Sequence, residues 1–431
     1  MEKAFLVGLN TGNDKDFDAS IDELKSLAEA CDFEVTGIVI QNLSHPVAAT
    51  YIGSGKIEEI CQMEEIEEID KIIFEDTLSP VQLKNLQKQL KAEIMDRTGL
   101  ILEIFSKRAR TRESKLQVES AKLQYMMPRL IGMWEAIGRQ GGGSGSTSNK
   151  GVGETQLELD RRWIQRRMIE LKRELDAIEH DRDIQRRKRE KGNMPLVALV
   201  GYTNAGKSTI MNRLMGMSRA GEEEKQVFEK DMLFATLDTS VRRIELDNNK
   251  DFLLSDTVGF IDKLPHSLVK AFRSTLDEIK YADLLLEVVD ISDERHLQQM
   301  KVTKDTLHEL GADVVPCIHV LNKADLCMEP GTFPRISADG DSIYISAGDE
   351  KGLDMLIEMI QSRVYSGNRV ARFLIPYEKG NILNEIHSSS NVIVEEYRDV
   401  GVYIEADVPV QTYGRAREYD LDWTGEEEEL W

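Results

Sequence analysis

Over the first hundred residues, short apolar runs alternate with stretches of helical period. AFLVGL, EVTGIVI, KIIFED and AEIMD have strand length, and IDELKSLAEA, KIEEICQMEEIEEI and VQLKNLQKQL between them repeat apolar positions at helical spacing. Strand–helix alternation of this kind predicts a small α/β domain with a largely parallel sheet over residues 1–105. From about Arg112 the period changes. Leu116, Leu123, Leu130 and Ile137 recur every seven residues, as do Leu157, Ile164, Leu171 and Ile178; Met127 and Trp134 widen the first series, Met168 and Leu175 the second. Two such series joined by the flexible stretch GRQGGGSGSTSNKGVGETQ predict an antiparallel helical hairpin over 106–192, with its tip at 138–153. Pro128 lacks an N–H and crowds the preceding turn, so it is expected to kink the first helix or end a turn there. The run RDIQRRKREKG, with Gly192 and Pro195 as stop signals, closes the second helix. A further α/β pattern fills 193–367. Residues 368–431 read as strand, helix, strand, strand before the acidic end TGEEEELW, a small α+β domain.

Charge sharpens this division. The chain carries a net −22, yet residues 97–191 are net +8, which leaves −30 for the rest. A basic insert in an acidic protein is what a local anion-binding surface requires, although a solvated helix face has the same composition. Lys107, Arg108, Arg110, Arg112 and Lys115 lie at the hairpin base. With Arg161, Arg162, Arg166, Arg167 and the basic run at 186–191 they make a basic rod suited to RNA, and Arg139 and Lys150 flank the tip. The four cysteines are scattered, with no C-x-x-C pair, which fits reduced thiols and neither a disulfide framework nor a zinc site. No run approaches the 18 or so apolar residues of a membrane span. A cytoplasmic protein, monomeric when free, is expected.

PLVALVGYTNAGKST carries the strongest chemical signal. An apolar strand runs into Gly201, Tyr202, Thr203, Asn204, Ala205, Gly206, Lys207, Ser208 and Thr209, and then into a helix. This is the context in which backbone N–H groups wrap a β-phosphate, a lysine supplies charge to β/γ oxygens and a hydroxyl ligates Mg²⁺. LLSDTVGF places Asp256, Thr257, Val258 and Gly259 at the end of another apolar strand; Asp256 would hold the Mg²⁺ shell through water, and the Gly259 amide would donate to a γ-phosphate. VVPCIHVLNKAD ends in Asn322, Lys323 and Asp325. A carboxylate there accepts from guanine N1–H and N2–H, which adenine cannot offer. YISAGD puts Ser346 and Ala347 where a backbone amide could read guanine O6. Each motif alone is weak; in this order, each ending a strand, they predict a GTPase domain with a Ras-like doubly wound sheet.

DMLFATLDTSVRRIEL is expected to sense the γ-phosphate through Phe234, Ala235, Thr236, Leu237 and Asp238, with Thr236 or Thr239 as the second Mg²⁺ hydroxyl. Lys207, Thr236 and Gly259 are the candidate catalytic groups. Phe260 follows DTVG where Ras-like GTPases carry a water-orienting glutamine, so hydrolysis is expected to be slow until a partner supplies that function. Asn204 either coordinates K⁺, as in some cation-stimulated GTPases, or holds a turn. YIGSGKIEEI resembles a phosphate loop, but Thr50 and Ile57 break the pattern, and it reads as a loop before a helix.

FEDTLSPVQLKNLQKQL, DRTGLILEIFSKRARTRESKLQVESAKLQYMMPRLIGMW, RQGGG, GETQLELDRR, GYTNAGKST, LFATLD, DTVGFIDKLPHSLVKAF, NKAD and SA together resemble the HflX family of ribosome-associated GTPases. The resemblance covers about residues 50–350. It implies a four-part architecture and binding to the large (50S) ribosomal subunit and rRNA. It also implies a hairpin loop directed towards the peptidyl transferase centre, and splitting or rescue of stalled or idle ribosomes. It favours Thr236 as the switch ligand, and it associates an ATP site with the N-terminal region. The tip departs from the family pattern by lacking an arginine and a proline, and LDTSVR stands for the usual LDPTTR. The alternative function is an RNA-binding ribosome assembly or hibernation factor with a structural nucleotide; a metabolic kinase is disfavoured because NKAD serves base selection.

Overall fold

The computed structural model describes residues 1–12, 16–140, 150–191, 194–219, 234, 237, 240–263, 265, 268, 272 and 276–423, with backbone alone for 131–140, 150–157, 183 and 185–191. The chain forms two compact units that do not follow chain order. One gathers Met1–Lys188 with Lys230–Asp238 and Val258–Leu276; the other gathers Arg189–Glu229, Thr239–Thr257 and Asp277–Trp431.

In the first unit, strands β1 (Glu2–Asn10), β2 (Phe33–Asn42), β3 (Lys71–Phe74) and β4 (Glu93–Asp96) form a parallel sheet of order β2-β1-β3-β4. Helices α1 (Phe17–Ala30), α2 (Ser54–Ile66), α3 (Pro80–Gln87) and α4 (Arg97–Arg108) accompany it. The sequence starts α3 by a capping box: Ser79 accepts from the Gln82 amide, and the Gln82 side chain accepts from the Ser79 amide. Asp96 caps α4 through Gly99 N–H and also accepts from Leu78 N–H, from the Tyr125 hydroxyl at 2.6 Å and from Arg129, which anchors the next helix to this sheet end.

That helix, α5 (Arg112–Gln140), runs through Pro128 without ending there, and the neighbouring Arg129 guanidinium donates to the Tyr125 carbonyl. With α6 (Lys150–Lys191) it forms the hairpin. Leu116, Leu123, Ile164 and Leu171 are its buried core, with Met127, Leu130, Met168, Leu175 and Ile178 packed against them. These are the seven-residue series; Ile137, Trp134 and Leu157 lie outside the described side chains. Across the seam, Arg167 forks onto Glu119 at 2.7 and 2.8 Å, and Arg112 and Arg182 reach Glu174 and Glu113.

The second unit holds a seven-stranded sheet. Its strands are β5 (Leu196–Val200), β6 (Ser240–Ile244), β7 (Phe252–Asp256), β8 (Leu284–Asp290), β9 (Cys317–Asn322), β10 (Arg335–Ile336) and β11 (Ser342–Tyr344), in the order β10-β11-β9-β8-β5-β7-β6. β5 sits between β7 and β8, so the chain winds outward on both sides of it, and β6 and β10 run antiparallel at the edges. Helices α7 (Lys207–Gly216), α8 (His296–Leu310) and α9 (Leu353–Val364) pack on it. Strands β12 (Arg369–Ile375), β13 (Asn391–Arg398) and β14 (Gly401–Val408) make an antiparallel sheet beside α10 (Gly380–Ser389) and α11 (Val410–Ala416), the expected strand–helix–strand–strand order. The fold class is thus multidomain α/β with a P-loop GTPase sheet. No described helix is long and apolar enough to cross a membrane.

Candidate functional site

β5 is buried at every position, which matches an apolar run that pairs on both sides, and it delivers the chain to Gly201 at the strand end. Gly201 has φ +135°, and a Cβ there would lie 2.3 Å from the Val288 carbonyl oxygen. Gly206 has φ +100°, and its Cβ would meet Asn322 Nδ2 at 2.3 Å. Only glycine meets both demands, so the spacing of the two glycines is a packing requirement. α7 begins immediately afterwards, with its N-terminal N–H groups facing the loop.

Lys207 is buried, and its ammonium donates to the Gly201 and Tyr202 carbonyls at 3.0 and 2.6 Å. Burial pushes it down to about 8, against the opposing pull of Asp256. The Ser208 hydroxyl donates to Asp256 Oδ2 at 2.9 Å, and Asp256 is fully buried at the end of β7. A hydroxyl and a carboxylate meeting at a phosphate-loop helix are the hard oxygen donors that Mg²⁺ takes alongside water and phosphate. Thr257 donates to the Leu199 carbonyl at 2.6 Å, which ties the start of DTVG to β5.

Asn322 binds two loops at once: Nδ2 donates to the Ala205 carbonyl at 2.9 Å, and Oδ1 accepts from Ala347 N–H at 3.0 Å. Lys323 adopts φ +60° and pairs with Asp290 at 2.7 Å, while Asp325 is exposed in the following 3-10 turn. Ser346 N–H donates to the Lys351 carbonyl. Both amides named for guanine O6 are therefore engaged, and Gly348 N–H is the neighbouring donor without a partner among the described residues. Asn204 is exposed at φ +62°, a conformation asparagine tolerates in turns. Thr203 is buried and Thr209 half-buried. The sequence pattern thus brings together Gly201, Gly206, Lys207, Ser208, Asp256, Asn322 and Ala347 at the ends of parallel strands.

Other expected residues group with the first unit. Phe234, Leu237, Val258, Gly259 and Phe260 are buried within the first unit. There Phe105 of α4 meets Phe234 and Phe272 edge-on, each with ring centroids 4.8 Å apart. Lys263 Nζ pairs with the buried Glu75 at 2.6 Å, and Arg97 donates to the Asp262 carbonyl at 3.0 Å. No motif announced these contacts. Ala235, Thr236, Asp238 and Thr239 lie outside the described residues, and the side chains of Arg139 and Lys150 likewise.

On the hairpin, Arg161 and Arg166 are exposed, Arg162 pairs with Glu158 on its own helix, and Arg167 is held by Glu119 across the seam. The sequence reading missed Trp163, which stands 60% exposed among these arginines. The run RRWIQRR held the signal, since an aromatic interleaved with arginine suits base stacking. In the YIGSGKI segment, Gly53 N–H donates to Gln41 and Lys56 pairs with Glu59.

Three family models match in succession: a GTP-binding GTPase N-terminal region over residues 18–106, a GTP-binding GTPase middle region over 108–189 and a 50S ribosome-binding GTPase over 196–323. The GTPase HflX of Caldanaerobacter subterraneus subsp. tengcongensis is 42% identical across 97% of this chain and 94% of its own length. The GTPase HflX of Escherichia coli is 35% identical across 96% and 95%. Among solved structures, a GTP-binding protein from Sulfolobus solfataricus in complex with GDP is 26% identical, covering 85% of this chain and 99% of its own, with a TM-score of 0.45. By the family models and the two HflX relatives, which match along nearly its whole length, the chain belongs to the HflX family of GTPases.

Proposed function

We propose that this GTPase acts on the large ribosomal subunit, using GTP to hold a conformation competent to split stalled or idle ribosomes and hydrolysis to leave. The observation that carries the nucleotide half is the joining of Lys207, Ser208–Asp256 and Asn322–Ala347 around one strand-end crevice. In this reading Lys207 neutralises β/γ oxygens, Ser208 and Thr236 ligate Mg²⁺ directly and Asp256 holds its water, and Gly259 N–H meets the γ-phosphate. Bound Mg²⁺ supplies charge neutralisation between the phosphates. Asp325 selects guanine, with Gly348 or a shared Ala347 amide at O6. Asn204 is the candidate K⁺ ligand; hydrolysis that is equal in KCl and NaCl at one ionic strength would leave it a turn residue. Phe260 offers no group to orient water, so turnover is expected to be slow until the ribosome completes the site.

The ribosomal half is supported by the description of the family model and by the basic hairpin. Arg161, Arg162 and Arg166 offer phosphate contacts, Trp163 a stacking surface, and Arg139 and Lys150 flank the tip; Arg167 serves the hairpin seam first. The test is hydrolysis and sucrose-gradient splitting of 70S ribosomes with the intact protein, Lys207→Ala and a variant lacking 139–153. Ribosome-stimulated turnover and splitting by the intact protein alone support the proposal. Full cellular function of Lys207→Ala would instead indicate an assembly or hibernation factor with a structural nucleotide.

A further inference from the structure

Away from the phosphate crevice, β8 and β9 carry chemistry that the GTPase reaction does not use. Their parallel register sets Leu285 beside Cys317 and Glu287 beside His319. Residues two apart on a strand share a face, so Glu287, Cys317 and His319 converge on one side of the sheet. Their donor atoms all lie within 4.8 Å of one another. Cys317 begins β9 and Asn322 ends it, so the cluster stands about 10–16 Å along the strand from the nucleotide motif.

The cluster is built and incompletely satisfied. Glu287 is 5% exposed; one of its oxygens meets His319 Nδ1 at 2.7 Å, and the other, Oε1, is buried without a hydrogen-bond partner. A buried carboxylate oxygen left bare is costly, and a cation relieves that cost. Cys317 is a free thiol with only weak contacts, among them one of 3.7 Å to the Ile318 carbonyl and one to the Glu287 backbone. Ligation takes the thiolate form, so an incoming cation replaces the thiol proton. His319 is about one-third exposed, which leaves a route in from solvent. The Asp341 carboxylate is taken by Arg363, so three donors come from the described residues and a fourth position is open to water.

We propose that Glu287, Cys317 and His319 form a site for a borderline-soft divalent ion, Zn²⁺ by donor chemistry. Sulfur, imidazole and carboxylate together select against Mg²⁺ and Ca²⁺. Tetrahedral bonds of about 2.0–2.3 Å set donor separations of roughly 3.3–3.6 Å, so each donor shifts by about an ångström or less. Binding releases the thiol proton, and the ion staples the two central strands β8 and β9 on the face away from the buried cluster beneath α7 and α9.

Co²⁺ is the probe, because thiolate ligation gives a sulfur-to-cobalt charge-transfer band that oxygen sites lack. Full-length protein, stripped with chelator and held in saturating Mg²⁺–GDP to fill the phosphate site, is titrated with Co²⁺. One equivalent should develop the band, and added Zn²⁺ should abolish it. Cys317→Ser should lose the band and His319→Gln should weaken Co²⁺ binding at least tenfold, both with GDP binding retained as the sign of an intact fold. Cys327→Ser, on the exposed turn after β9, should titrate like the wild type. Absence of the band in the wild type, or its survival in Cys317→Ser, would overturn the proposal and leave Glu287 and His319 as a structural pair.

Discussion

Asn322 shows how much one amide can organise. Its two ends hold the Ala205 carbonyl and the Ala347 N–H, both inside the protein. Asn322→Ala orphans both, at about 1–3 kcal/mol for each buried group. GDP affinity is therefore expected to fall at least tenfold in a fluorescent-GDP titration; unchanged affinity would mean the two loops are held by other contacts. Asp325→Asn should exchange guanine for xanthine preference, since an amide donates where the carboxylate accepts; undiminished GTP binding would contradict the assigned contact. Lys207 makes the site sensitive to pH. Its pKa in the free protein is lowered to about 8, and phosphate beside it raises that value, so nucleotide binding takes up a proton. GDP affinity should be full below about pH 8 and fall above it, approaching tenfold per pH unit; a flat profile from pH 7 to 9 would contradict the lowering of Lys207 by burial.

Among the elements, the hairpin separates strong contacts from weak ones. Leu171 is fully buried in the seam, and Leu171→Ala should cost about 2–5 kcal/mol of hairpin stability. Arg167→Ala removes a half-exposed pair and should cost under about 1 kcal/mol. Arg167 lowers the Glu119 carboxyl, so that contribution is present above the ordinary carboxylate value and is lost as pH falls. Urea unfolding followed by circular dichroism checks the ranking, and a larger effect from Arg167 would reverse it. The seam was legible in the sequence because a helix repeats its faces: Leu116, Leu123, Ile164 and Leu171 are fixed by spacing alone. Phosphate-loop residues were legible because the strand–loop–helix context demands them. Glu119–Arg167, Asn322–Ala205 and Glu287–His319 were not, because each joins residues 32 to 117 positions apart through pairing that no local period encodes. Trp163 was hidden differently: an aromatic on a basic helix reads equally as core or surface until the partner helix is in place.

For the whole molecule, the compact units cross chain order. Phe234, Asp262, Lys263 and Phe272, which neighbour the nucleotide motifs in sequence, pack with α4 and the β3 end through Phe105, Arg97 and Glu75. A sequence divided into contiguous stretches cannot express this. Lys263→Met should destabilise the protein by about 3 kcal/mol, because Glu75, 1% exposed, keeps the Ser20 hydroxyl but loses its ammonium partner; Glu75→Gln in the same chain should recover part of the loss. Equal stability of Lys263→Met and wild type would show that Glu75 is satisfied without the lysine. A nucleotide switch has meaning only where GTP and GDP forms differ in affinity for the partner. The central claim is therefore tested most directly by co-sedimentation of the intact protein with 50S subunits, in a non-hydrolysable GTP analogue and in GDP, across a salt series. Retention at least tenfold tighter with the analogue, weakening steeply with salt, is the predicted result. Equal binding in both nucleotides would contradict it.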